Sequence, residues 1–166
     1  MAFVRDERGG QLIAVVQGDI FAADADAVVN AVNTVGVMGK GLALQFKRAY
    51  PEMFVEYQLW CRAGELRVGK MHVWERSVEF GGPRLIINFP TKQHWRDSSR
   101  AEDIQAGLDE LVRVVGEWEV RSIAIPALGC GLGGLDWSVV EPLIVAAMIP
   151  LAGEVDVSIY RPGELR

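Results

Sequence analysis

An α/β sandwich built on a largely parallel sheet is the fold this chain predicts, on three observations. Short apolar runs alternate along it with segments of helical periodicity. The helical segments carry recognisable start and stop residues, such as Pro51 after Tyr50. Two glycine-rich stretches, residues 36–43 and 127–135, each follow an apolar run closely. Strands alternating with helices bury a sheet between helical layers, and 166 residues are enough for one domain, residues 1–166, with a full core.

The mostly apolar residues 12–17 read as a buried strand ended by the turn Gly18-Asp19-Ile20. Residues 27–32 form the second strand, and its apolar start, Ala27 to Val29, leads to Asn30, Asn33 and the glycines Gly36, Gly39 and Gly41. A helix over 41–50 stops at Pro51, which itself serves as the first residue of a helix to about Ala63. Residues 69–77 and 84–89 are strands joined by the Gly81-Gly82-Pro83 turn. Ser98 or Ser99 caps a helix whose Ile104, Leu108, Leu111, Val112 and Val115 form one apolar stripe. A short strand over 122–125 precedes the second glycine stretch, a helix over 137–151 is interrupted near Pro150, and a strand over 155–160 closes the sheet. Trp60, Trp74, Trp118 and Trp137 read as core or edge packing.

Bulk properties exclude several classes. A net charge of −5 argues against a coat that grips many nucleic-acid phosphates, while leaving room for one nucleotide or a short basic strip. Cys61 and Cys130 are too few for a disulfide framework, and with His72 and His94 they show no zinc spacing, so neither metal nor cofactor is expected. No signal peptide and no membrane-length apolar run stand out, which makes a soluble cytoplasmic protein the expectation.

In parallel sheets, ligands bind beyond the carboxyl ends of the strands. Asp19, Asn30, Lys92 and Gly129 each read as lying just past a strand end, so parallel strands would gather them on one rim. The order strand, glycine loop, helix start lets backbone N–H groups approach an anion, with a helix N-terminus behind them. Residues 129–134 formally satisfy G-x-G-x-x-G, but that fingerprint opens a dinucleotide fold, and here a single strand remains after it. Gly39-Lys40-Gly41 lacks the Ser or Thr of a P-loop. Asp19 is a turn residue or a carboxylate for an adenine amino group. Asn30 and Asn33 tie the loop to itself or, for Asn33, orient a ribose hydroxyl. Lys92 is a solvated charge or, on a pocket rim, a nucleophile or electrostatic group. His94, Trp95, Arg96 and Arg100 are loop residues or a stacking and phosphate-contact strip for a short single strand.

Taken together, Gly18-Asp19-Ile20-Phe21, Asn30-Ala-Val-Asn33, the 36–43 loop and residues 127–135 resemble a macrodomain, the ADP-ribose-binding module. The likeness runs from Leu12 to Tyr160 with the motifs in order. It implies three α/β/α layers around a mixed, largely parallel sheet. The lysine after the strand and the Gly-Cys-Gly-Leu run resemble the branch containing terminal ADP-ribose protein glycohydrolase. The Asn88-Phe-Pro-Thr-Lys92 run with His94, Trp95 and Arg96 is similar to antitoxin glycohydrolases that strip ADP-ribose from thymine bases of single-stranded DNA.

The resemblance implies roles. Asp19 and Ile20 meet adenine, Asn33 holds the distal ribose with Asn30 also among the substrate-binding residues, and Gly39, Lys40, Gly41 and Leu42 line the first diphosphate loop. Thr91 stands beside the catalytic lysine, Lys92. Leu128, Gly129, Cys130, Gly131, Leu132 and Gly133 form the second loop, and His94, Trp95 and Arg96 contact DNA. The implied partners are ADP-ribose, ADP-ribosylated single-stranded DNA and an ADP-ribosylating toxin, with the chain acting as a monomer. One departure matters: Gly133 stands where the protein-deacylating relatives carry an acid, and Asp136 is not an aligned substitute. The lysine–aspartate pair is incomplete, which counts against hydrolysis of glutamyl esters. The alternatives to a DNA glycohydrolase are a non-catalytic ADP-ribose reader and a hydrolase of protein-linked ADP-ribose esters.

Overall fold

The computed structural model describes residues 1–5, 7–9 and 11–163. Apolar runs buried on both faces, as a parallel sheet requires, become β3 (Ala27–Val32), β5 (Leu85–Pro90) and β6 (Ser122–Ile125), and β2 (Gln11–Val16) and β7 (Asp156–Tyr160) complete the parallel set. All six residues of β5 are buried. Two further strands, β1 (Ala2–Arg5) and β4 (His72–Glu75), lie at the edges. The order across the sheet is β1-β2-β7-β6-β3-β5-β4, with β1 and β4 antiparallel to their neighbours and the five inner strands parallel.

The helices are α1 (Gly41–Ala49), α2 (Pro51–Arg62), α3 (Ala101–Glu117) and α4 (Trp137–Met148). Phe46 of α1 and Met53 and Tyr57 of α2 pack with Val28, Val32 and Ile86 on one sheet face. Ile104, Leu108 and Leu111 of α3 and Val140, Ile144 and Met148 of α4 pack with Val29, Ile87, Phe89 and Ile123 on the other. The result is the expected three-layer α/β/α architecture with a mixed, largely parallel sheet.

Several expected boundaries move. β1 was not expected; it pairs with β2 from Ala2↔Val15 to Arg5↔Gln11 and covers an edge that would otherwise stay open. The strand expected over 12–17 occupies 11–16, and that expected over 69–77 shortens to His72–Glu75. The last helix ends at Met148 and tightens into a 3-10 turn over Ile149–Leu151. Neither Ser98 nor Ser99 caps α3. Arg100 holds that position without a side-chain bond, while Glu102 and Asp103 place negative charge against the helix dipole.

Two contacts fix how the strands present their ends. At the amino ends, Asp26 receives Arg84 through two 3.0 Å bonds, accepts from the Arg121 N–H at 3.3 Å, and donates its own N–H to Ser122 Oγ at 2.7 Å. One carboxylate thus ties the starts of β3, β5 and β6. At the other end of β5, the Phe89 ring lies directly on the α3 backbone: a Cβ on Gly107 would stand 2.2 Å from Phe89 Cζ.

Gly107→Ala is expected to destabilise the fold by about 1–3 kcal/mol through overpacking, measured by chemical denaturation, and Phe89→Leu in the same chain should recover part of the loss. Hydrogen bonding from Arg84 holds the Asp26 carboxyl below the usual carboxylate range. Its stabilisation is present above the unfolded value of about 3.9 and is lost as pH falls through the lowered folded one. Asp26→Asn should cost about 1–2 kcal/mol at neutral pH, and the gap from the native chain should close as both are titrated towards acid.

Candidate active site

Because β2, β3, β5, β6 and β7 are parallel, their carboxyl ends share one rim. Asp19 follows β2, residues 33–40 follow β3, Lys92 follows β5 and Gly129 follows β6. The first loop is organised by Asn33. Its Oδ1 accepts from the N–H groups of Val35 at 3.1 Å and Val37 at 3.3 Å, and its Nδ2 donates to Val37 O at 2.7 Å. From α2, Tyr57 Oη donates to Asn33 O at 2.8 Å, with Asn33 Oδ1 2.9 Å away, and Gln58 Nε2 donates to Gly36 O at 3.2 Å. Gly36 turns the chain at φ +86°. The loop delivers Lys40 as the N-cap of α1, and no side chain caps this helix, so its positive end opens towards the rim.

The second loop is tighter. Leu135 N–H bonds Gly129 O at 2.9 Å, and Gly129 adopts φ +72°. A Cβ at Gly133 would meet Ser99 Oγ at 2.3 Å and Gly129 O at 2.5 Å, whereas one at Gly131 would find open space. The space that a side chain at position 133 would need is filled by the loop's own atoms and by Ser99. Asp136 lies further on and caps α4 through Ser138.

The segment 91–100 joins the two walls. Thr91 is buried and its N–H bonds Val32 O at 2.9 Å. Thr34 N–H bonds Gln93 O at 2.8 Å, and Ser99 N–H bonds Gly133 O at 2.9 Å. Lys92 lies on this strap and its Nζ donates to Trp95 O at 3.1 Å. His94, Trp95 and Arg96 form a small stack: the two rings are 5.0 Å apart and the guanidinium lies 4.6 Å from the Trp95 centroid. Trp95 is 44% exposed, which leaves it surface for another planar group.

Other expected residues fall as follows. Asp19 is exposed and its Oδ1 caps Phe21 N–H at 2.9 Å; Ile20 beside it is buried. Asn30 is a correction: it lies inside β3, not past its end, is 0% exposed, and donates to Asn88 Oδ1. Asn33 is at the rim with both atoms of its amide committed to the loop and Tyr57. Gly39 and Lys40 are exposed, Leu42 is half-buried, and Leu128 is fully buried beneath its loop. Leu132, 69% exposed, reaches across the cleft: its Cδ1 would lie 4.0 Å from a Cβ at Gly41.

The titratable groups narrow the chemistry. Burial, then the Asp136 charge, pushes the Cys130 thiol up to about 11, and its Sγ points to Leu128 O at 3.6 Å, so it is no thiolate nucleophile at neutral pH. Burial raises Tyr57 well beyond its usual range. Burial, then the Asp19 charge, raises Tyr160 at the neighbouring strand end. Lys92 is the amine on the strap between the two loops. Among the described residues no group of three His, Cys, Asp or Glu could hold a metal ion. Sequence reasoning missed Tyr57, Gln58, Gln93 and Ser99, which brace the loops through backbone atoms that leave no local pattern.

A three-layer sandwich with two glycine loops and an uncapped helix start on one rim is the architecture of an anion-binding α/β/α module. Residues 29–144 match the Macro domain, and the chain belongs to that family. It is 52% identical over 151 residues to the DNA ADP-ribosyl glycohydrolase of Mycobacterium tuberculosis, covering 91% of this chain and 42% of that protein. Among solved structures, the macrodomain of Mycobacterium tuberculosis DarG matches with a TM-score of 0.88 at 52% identity, covering 92% of this chain and 99% of that one. Thermosipho africanus DarTG in complex with ADP-ribose matches with a TM-score of 0.85 at 39% identity, covering 94% and 43%. The chain thus spans less than half the length of the curated DNA ADP-ribosyl glycohydrolases that it matches.

The two loop glycines separate by test. Gly133→Ala should lower stability by about 1–3 kcal/mol, read as a fall in Tm of the ligand-free chain, while Gly131→Ala should stay within about 0.5 kcal/mol.

Proposed function

We propose that this chain is the catalytic macrodomain of a DNA ADP-ribosylglycohydrolase, removing ADP-ribose from thymine bases of single-stranded DNA and so reversing a DarT-like toxin. The observation that carries this reading is the strap 91–100, bonded to the first loop through Thr34 and to the second through Ser99, with Lys92 between them. The diphosphate lies between the loops, against backbone N–H groups and the uncapped start of α1. Adenine lies by Asp19 and Ile20; one Asp19 oxygen already holds Phe21, which leaves Oδ2 for the amino group. The distal ribose then faces Lys92.

Lys92 exchanges the Trp95 carbonyl for the sugar and acts at its anomeric carbon, by attack or by stabilising departure of the base. The His94–Trp95–Arg96 stack takes the flanking nucleotide by stacking and phosphate contact. No carboxylate can stand at Gly133, which disfavours the ester-hydrolase alternative. The 52% identity to a protein named DNA ADP-ribosyl glycohydrolase supports the same choice. The chain acts as a monomeric cytoplasmic domain without metal or cofactor.

Lys92→Ala should keep ADP-ribose affinity and lose turnover by at least about 10²-fold on thymine-linked ADP-ribose in single-stranded DNA, with free ADP-ribose as the readout. Unchanged turnover in that variant, or release from glutamate-linked ADP-ribose alone, would sink the assignment.

A further inference from the structure

Three polar side chains cross the core on one rung of the sheet. Asn30 of β3 stands opposite Asn88 of β5, and Asn88 stands opposite His72 of β4. All three are 0% exposed. Asn30 Nδ2 donates to Asn88 Oδ1 at 3.0 Å, and Asn88 Nδ2 donates to His72 Nδ1 at 3.0 Å. The second N–H of each amide meets a methionine sulfur, Met38 at 3.8 Å for Asn30 and Met53 at 3.2 Å for Asn88. A thioether accepts and cannot donate, so the two sulfurs fix both amides in this orientation.

With Nδ1 accepting, neutral His72 carries its proton on Nε2. That atom lies 3.5 Å from Glu56 Oε1 on α2 and makes no hydrogen bond. At the far end of the line, Asn30 Oδ1 has no partner at all. Glu56 is the charged group facing His72. The other neighbour from α2 is the Trp60 ring at 4.9 Å, β5 presents the Asn88 amide, and Lys70 next to β4 is held by Glu65 at 3.3 Å. Burial keeps His72 below the ordinary imidazole range, with the Glu56 charge pulling the other way.

We propose that Glu56, His72, Asn88 and Asn30 form a relay that positions the first glycine loop, and that a second proton on His72 reverses it. The relay's effect on ligand rests on the reading of that loop as a diphosphate wall. A proton taken from solvent onto Nδ1 would face the Asn88 NH2 donor to donor. Asn88 must turn its amide by half a rotation, so that its oxygen receives the new N–H and its NH2 faces Asn30. Asn30 then turns as well. Its unpartnered oxygen becomes an acceptor, its NH2 loses one, and the Met38 and Met53 sulfurs each meet an oxygen. Met38 belongs to the first loop, so protonation on β4 loosens the wall beyond β3. His72 is a positioning residue; it touches no substrate.

The test follows the side-chain amide resonances of Asn30 and Asn88 by NMR in the full chain from about pH 8 to about pH 4, because burial holds His72 below the ordinary imidazole range. ADP-ribose affinity is measured by calorimetry over the same range in the native chain and in His72→Gln. The glutamine oxygen can accept from Asn88 but takes no proton, and His94 is present in both proteins. Both amide pairs should shift with a common midpoint, and native affinity should fall about tenfold on the acid side, the cost of one buried bond left unmade, while His72→Gln stays flat. Amides that stay put across the range, or equal pH dependence in the two proteins, would overturn the relay. No ADP-ribose binding at neutral pH would instead overturn the diphosphate reading, and the amide shifts would still decide the relay.

Discussion

Thr34 N–H to Gln93 O and Ser99 N–H to Gly133 O are ordinary main-chain hydrogen bonds, but they join three loops that share no secondary structure. Each loop leaves the sheet from a different parallel strand, and nothing in the sheet itself sets their spacing beyond the strand ends. The strap between β5 and α3 is bonded to each wall and so becomes the common reference for both. Lys92 gains its position from this lacing, since its own contact is a single bond to the Trp95 carbonyl. Any ligand held between the walls is presented to whatever the strap carries.

Glycine is required here at particular points. Gly129 turns at positive φ, and Gly133 packs its bare Cα side against Ser99 and the Gly129 carbonyl. This packing keeps the second wall thin enough for its backbone to meet an anion. It also leaves no room for a longer side chain at position 133. The Asp26 clamp at the opposite end of the sheet complements this arrangement by fixing β3, β5 and β6 where they start.

The rim was legible in the sequence because its signals are local. Apolar runs closed by glycine, Pro51 at a helix start and the Asn88–Lys92 run all say what they are within a few residues. Asn30 misled, since an amide after three apolar residues reads as a strand end. Its partners Asn88 and His72 lie on other strands and become visible only when the register is known. The serines before α3 misled for the same reason: Ser99 is tied by its N–H to Gly133 in a distant loop, and its Oγ packs against that glycine and makes no bond to the helix. β1 has four residues and acquires meaning only by pairing with β2.

Gly107 sits in the middle of α3, where glycine weakens a helix by about 1 kcal/mol relative to alanine. It stands there because Phe89 fills the space of the absent methyl group. The tip of β5 that leads into Thr91 and Lys92 is thus seated on a side-chain-free turn of its covering helix. A side chain added on that turn would press on Phe89 and, through it, on the strand end from which Thr91 and Lys92 leave.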